Sequence, residues 1–338
     1  MKYLSVAIPC YNSESYMDKA IESCLVCKED IEIIIVNDGS KDHTNEIGLA
    51  YANKYPDTIK YIEQVNGGHG EAVNTGLINA SALYFKVLDS DDWFDKDVFP
   101  KIVTKLKELD NLNQNVDMFI ANYIYDKPSE NSATTIRYTN VFPVNKRFTW
   151  NDVGHFMPQQ NILMHAIIYR TELLKSCNIK LPKHTFYVDN LFAFEPFPYV
   201  KTMYYMNLDL YHYYIGRSDQ SVNEKIMISR IDQQLRVNYR MADCFDYDKL
   251  DNPNLKHYMV HYLTMLSAVS TILALRSNDE TNIQKKHNLW KYLKTQKPSL
   301  YQAMKHTMIG SCIEFDSFIG RKFLLTVYKI AQKLFHFN

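Results

Sequence analysis

The stretch "ALYFKVLDSDDWFDKD", residues 82–97, decides the fold. It opens as an apolar run of strand type and then places five aspartates within nine residues: Asp89, Asp91, Asp92, Asp95 and Asp97. Like charges repel, and an unpaired buried carboxylate is costly. Either the loop is solvated or something positive sits there.

The same unit recurs upstream. "YLSVAIP" reads as a strand and "NSESYMDKAIESCLV" as a helix with Ser13 as its cap. "IEIIIV" is a β-branched run suited to a buried strand, and "DHTNEIGLAYANKY" a second helix. "IKYIEQV" and "EAVNTGLINAS" repeat the pair. This rhythm predicts right-handed crossovers and a largely parallel α/β sheet. Each strand is followed by a polar or glycine-rich turn: "PCYN" (9–12), "NDGS" (37–40), "NGGHG" (66–70) and "DSDD" (89–92). In a parallel sheet those turns share one edge, where open α/β folds bind ligands. Farther on, "VFPKIVTKLKEL" reads as a helix, "VDMFIANYIY", "MHAIIYR" and "KTMYYMNLDLYHYY" as strands, and "VDNLFAFE" as a short helix. Residues 126–160 are expected to be irregular. The expected organisation is a domain over 1–222, split at 95, and a helical extension over 223–338.

The chain has 338 residues and no formal net charge, but its charge is unevenly spread. Thr281–Asn338 holds ten Lys/Arg against two acidic residues, so the preceding part carries the opposite excess. A basic tail suits an anionic surface such as a lipid leaflet, or is a solvated helical face. "FIGRKFLLTVYKIAQKLFHFN" fits an interfacial amphipathic helix, a docked helix or a homodimer contact. No signal-peptide pattern opens the chain, and no apolar stretch approaches the roughly 20 residues of a membrane span. The six scattered cysteines are read as reduced thiols. The expectation is a cytoplasmic protein, at the inner face of the membrane if the tail binds lipid, with no nucleic-acid partner.

An Asp-x-Asp at a strand end suits a hard cation, Mg²⁺ or Mn²⁺, that shares its coordination with phosphate oxygens. An EF-hand fails, because its glycine and final glutamate positions would be Phe94 and Pro100. Asp95 and Asp97 read better as openers of the next helix. Asp38 can accept N–H donors from a nucleobase or make an Asx-turn. The glycines around Asn66 and Gly68 allow close backbone approach, at a helix N-terminus that favours phosphate. Neither GxGxxG after the first strand nor GxxxxGK[ST] is present, which disfavours dinucleotide dehydrogenases and P-loop kinases.

Together "SVAIPCYNSESYMDKAIESCL", "EIIIVNDGSKD", "NGGHGEAVNTGL" and "FKVLDSDDW" resemble the successive signatures of family 2 glycosyltransferases of the GT-A fold, of the bacterial cell-surface polysaccharide type. The resemblance is strong over residues 1–95 and looser to about 222. It implies that Asp38 reads uracil, that Pro9, Tyr11, Asn12, Asn66, Gly68 and Ser90 line the nucleotide, that Asp89 sits by the ribose and that Asp91 ligates the metal. It implies a general base in the later acidic motif, matched here by Asp189 of "FYVDN", although Val188 stands where the family has Glu. "YHYYIGRSDQS" resembles a late loop over the diphosphate, making Arg217, Gln220 and Ser221 phosphate contacts. His212 is either a metal ligand or a structural strand histidine. Val73 replaces a family arginine, and His69 either compensates or packs.

The implied function is metal-dependent, inverting transfer from a UDP-sugar to a glycan or lipid-linked acceptor. A sugar nucleotidyltransferase and a non-catalytic binding module are the alternatives.

Overall fold

The computed structural model describes residues 2–127, 132–157, 160–215, 223–312, 320–322 and 324–326. They form two compact units, Met1–His155 with Ile162–Gly216, and Phe156–Asn161 with Arg217–Asn338.

The first unit is built on one mixed sheet. β1 (Leu4–Cys10), β2 (Ile31–Asn37), β3 (Ile59–Glu63) and β4 (Tyr84–Val87) are mutually parallel, in the order β3-β2-β1-β4. Every residue of β1 and β2 is buried, as a strand covered on both faces requires. The crossovers are α1 (Met17–Leu25), α2 (Thr44–Lys54) and α3 (His69–Asn79). The expected rhythm and the α/β class therefore hold.

Ser13 departs from expectation. α1 begins at Met17 without a side-chain cap, because the Ser13 hydroxyl is used elsewhere: it accepts from the Tyr11 N–H and meets the Ser90 hydroxyl at 2.8 Å.

Beyond β4 the sheet continues through β9 (Ile167–Arg170), β6 (Met118–Lys127), β10 (Met203–Tyr214) and β5 (Trp93–Phe94). β9 is antiparallel to both neighbours, and β10 is parallel to β6. The strand expected over 164–170 begins late. Met164–Ala166 is a 3-10 turn, and the His165 carbonyl is taken by Lys86 Nζ rather than by a strand partner. The stretch expected to be irregular holds β7 (Ser132–Ile136) and β8 (Arg147–Phe148), antiparallel additions to β6 and β10. α4 (Phe99–Asn111), α5 (Thr171–Ser176) and α6 (Asp189–Phe194) complete the unit. Asp95 Oδ1 accepts from the Asp97 and Val98 N–H groups in the turn leading into α4, as expected of a helix opener.

The second unit is helical, with α7 (Glu224–Ser229), α8 (Ile231–Asp243), α9 (Pro253–Arg276), α10 (Glu280–Gln296), α11 (Pro298–Lys305) and α12 (Met308–Cys312). α9 is its axis and packs against α7, α8, α10, α11 and α12. At 24 residues α9 is longer than its apolar centre suggested, and it alone among the described helices has the length and composition to cross a membrane. Two thirds (67%) of its most apolar window is buried within the protein. Ser267 and Ser270 of α9 hydrogen-bond the Asn238 amide of α8 at 3.0 and 2.9 Å, and Arg276 grips Glu224 with two nitrogens. All six cysteines are free. Most of the amphipathic segment anticipated at 318–338 lies outside the described residues.

Candidate functional site

The four strand-end turns meet at one edge and are tied to one another. The Asn12 N–H donates to Ser40 Oγ at 3.0 Å, and Asn12 Oδ1 accepts from the Lys41 N–H at 2.9 Å, joining the first turn to the second. Asn12 takes a left-handed conformation (φ 50°), which asparagine tolerates better than most residues. Ser13 and Ser90 join the first turn to the fourth. Pro9 is buried in β1, and Tyr11 stands 50% exposed beside it.

Asp38 is 2% exposed and takes three donors: Gln64 Nε2 at 2.7 Å, and the Gly67 and Gly68 N–H groups at 2.8 Å each. Asn66 Nδ2 donates to the Asp38 carbonyl at 2.9 Å. A carboxylate has about four acceptor positions, so Asp38 anchors the "NGG" turn and keeps about one position for a further donor. Gly68 opens α3 at φ 82°, and a Cβ there would lie 3.0 Å from the His184 backbone nitrogen. That close approach seats the 181–188 loop on α3. The His184 N–H donates to the Gly67 carbonyl at 2.7 Å, and the Asn74 amide makes a reciprocal pair with the Leu181 backbone at 2.9 Å.

The seated loop delivers Asp189 as the first residue of α6. Val188, where the family has Glu, is 1% exposed and packs towards Gly70, so this position serves the core. Burial, aided by Asp89 and opposed by His69, pushes the Asp189 carboxyl up to about 6. His69, at the start of α3, bonds Asp89 Oδ1 through Nε2 at 2.8 Å. Burial disfavours its charge, but Asp89, Asp189 and Asp91 outweigh that and raise it above an ordinary histidine. His69 thus hydrogen-bonds the acidic loop rather than merely packing.

Behind Asp89 lies a layer that sequence reasoning missed. Lys86 is fully buried, and its Nζ donates to the His165 and Ile167 carbonyls at 2.8 and 3.1 Å. His165 is 4% exposed, stacks on Tyr213 at 4.4 Å and points Nε2 at Asp89 Oδ2, 3.9 Å away. Burial lowers His165 to about 4, so it is neutral at pH 7. Tyr211 donates its hydroxyl to Asp92 at 2.6 Å and accepts from the Asp89 N–H at 3.1 Å. Asp92 is fully buried and also accepts from the Tyr214 N–H at 2.8 Å. Burial, then Asp91 and Asp89, push it well above an ordinary carboxyl. The signals were a lysine inside "YFKVL" and a histidine inside "MHAII", each a polar residue in an apolar run.

Among the described residues, the group whose ligand atoms lie within 4.8 Å of one another is Asp89, Asp92 and His165. His212 is not part of that group: Nδ1 meets Asp126 Oδ2 at 3.0 Å, Nε2 lies 3.9 Å from Asp95 Oδ2, and the ring stacks on Trp93 at 5.1 Å. Asp91 is half-buried beside Asp92. Arg217, Gln220 and Ser221 lie outside the described residues.

Asp92 and Asp189 are raised chiefly by burial, to which Asp91 and Asp89 add at Asp92 and Asp89 at Asp189, where His69 opposes it.

The family model Glycosyl transferase family 2 matches residues 5–171. An uncharacterized glycosyltransferase of Mycoplasma genitalium is 31% identical over 227 residues, 65% of this chain and 70% of that protein. Another, from Rickettsia felis, is 36% identical over 146 residues, which make up 42% of this chain and only 23% of the Rickettsia protein. Among solved structures, S. aureus TarS 1–349 in complex with UDP-GlcNAc superposes with a TM-score of 0.71 over 98% of this chain and 92% of that one. The identity there is 16%, so that likeness speaks to the fold. Motifs, fold and relatives agree: the chain belongs to glycosyl transferase family 2.

Proposed function

We propose that the protein is an inverting, metal-dependent glycosyltransferase that moves a sugar from a UDP-sugar to an acceptor hydroxyl in surface polysaccharide or glycolipid synthesis. The observation that carries this reading is the edge itself, where His69 bonds Asp89 and lies in the field of Asp189. The complex of TarS with UDP-GlcNAc supports a UDP-sugar donor, with an N-acetylhexosamine as the first sugar to try.

Asp89 and Asp91 would hold the ion, with Asp92 and His165 behind them. Oxygen donors with one nitrogen nearby suit Mn²⁺ or Mg²⁺. Such an ion, when bound, stabilises the charge that develops on a departing diphosphate. The chain's own groups do the rest. The "PCYN" and "NGG" turns line the nucleotide, and the α3 N-terminus favours anionic oxygens. Asp189 accepts the proton of the attacking hydroxyl; a carboxyl near 6 is mostly ionised at neutral pH yet still basic enough for the task. Attack opposite the leaving group inverts the anomeric centre. Arg217, Gln220 and Ser221 remain assigned to the diphosphate on resemblance. A lipid-linked acceptor at the inner face of a membrane is supported by the basic excess of residues 281–338.

A panel of nucleotide-sugars, assayed for UDP release with Mn²⁺, Mg²⁺ or EDTA, tests the proposal. EDTA-sensitive release from one UDP-sugar is expected; release from none of them contradicts it.

A further inference from the structure

Lys86 occupies a core position of β4 that an apolar side chain would fill at no electrostatic cost. A buried ammonium is expensive, and here its hydrogen bonds go to two neutral carbonyls. Its surroundings are specific. Nζ lies 5.1 Å from the Tyr211 ring centroid and 5.8 Å from that of Phe94. Tyr211 links Asp92 to the Asp89 backbone, and one of the two carbonyls belongs to His165, which faces Asp89. The lysine therefore bonds the turn that carries His165 and faces the Tyr211 ring that links Asp92 to Asp89.

We propose that Lys86 is the internal counter-charge of the acidic loop, a positioning residue that tethers the His165 turn and limits how strongly the loop attracts a divalent cation. The inference rests on the metal reading above. Burial opposes the charge of Asp89, but His69 and Lys86 are among the neighbours that hold its carboxyl down, and a chain without the internal cation would bind metal more tightly and release it, with its diphosphate, more slowly. Burial lowers Lys86 to about 7, and Asp89 acts against that shift.

Three variants of the full chain separate charge from tether. Lys86→Gln keeps N–H donors for the carbonyls but removes the charge; Lys86→Met removes both; Lys86→Arg keeps the charge. Mn²⁺ binding in the presence of UDP is read from the free-Mn²⁺ electron paramagnetic resonance signal. Lys86→Gln and Lys86→Met are expected to bind Mn²⁺ about 10-fold more tightly, with Lys86→Arg near wild type. By linkage, Mn²⁺ should raise the melting temperature of the two uncharged variants more than that of wild type. A folded Lys86→Gln that binds Mn²⁺ like wild type, or more weakly, overturns the counter-charge. If Lys86→Met does not fold, Lys86→Gln decides alone. A wild-type chain that takes up no Mn²⁺ overturns the metal reading and the inference together, which distinguishes the two failures.

Discussion

The two edges of one sheet treat buried acid in opposite ways. At the amino-terminal edge, Glu32 is 4% exposed and fully answered: Ser5 Oγ, Lys60 Nζ, Ser81 Oγ and the Ser81 and Ala82 N–H groups all donate to it, at 2.5–3.0 Å. Burial works against its charge, but Lys60, Ser5 and Ser81 overcome that and hold it at about 2. At the carboxyl-terminal edge, Asp92 and Asp189 are pushed up because burial and neighbouring carboxylates exceed the compensation on hand. One acid clamps β1, β2, β3 and the approach to β4. The others are kept out of balance, as the proposed cation-binding and proton-accepting roles require.

The largest expected effect falls on the unbalanced edge. Asp91→Ala should lower kcat/KM for UDP release by roughly 10³-fold while the melting temperature moves little, as checked by steady-state kinetics and calorimetry. A matching loss of stability would erase the contrast between the edges.

The answered edge should behave in reverse. Glu32→Gln should cost on the order of 2–3 kcal/mol of stability and leave kcat unchanged. The sign of its pH dependence follows from a depressed carboxyl. Its stabilisation is fully present above the unfolded value of 4.5 and is lost as pH falls from there towards about 2. Acid unfolding of wild type should therefore be steep in that window and shallower in Glu32→Gln. His69→Gln should have the smallest effect, about 10-fold in kcat, since it removes the titratable group bonded to Asp89 but no carboxylate.

The parallel half of the sheet is legible in the sequence because local pattern suffices there. Apolar strands alternate with helices, the crossover rule is nearly invariant, and so the turns after β1, β2, β3 and β4 have to share an edge. Asp189 is reached only through resemblance to a family; its seat on α3 depends on Asn74 and Gly68 meeting residues more than a hundred positions away. Lys86, His165 and Tyr211 are illegible for a related reason. Lys86 and His165 are each one polar group in an apolar run, Tyr211 is one of several tyrosines in its strand, and their association depends on β9 entering antiparallel between β4 and β6. Ser13 reads as a helix cap, but one hydroxyl has two uses, and the link to Ser90 wins over the cap. His212 is within reach of the sequence only as two alternatives, and in the structure Asp126 and Trp93 hold its ring in place.

The pH dependence of UDP release, compared between wild type and Asp189→Asn with the productive UDP-sugar, tests the general-base role most directly. The rate needs Asp189 ionised, so in wild type it should rise with pH through about 6 and then level. Asp189→Asn should lose roughly 10²-fold or more of the plateau rate and the limb near 6 with it, while still binding UDP. Turnover at the wild-type level with the same limb would show that another group takes the proton.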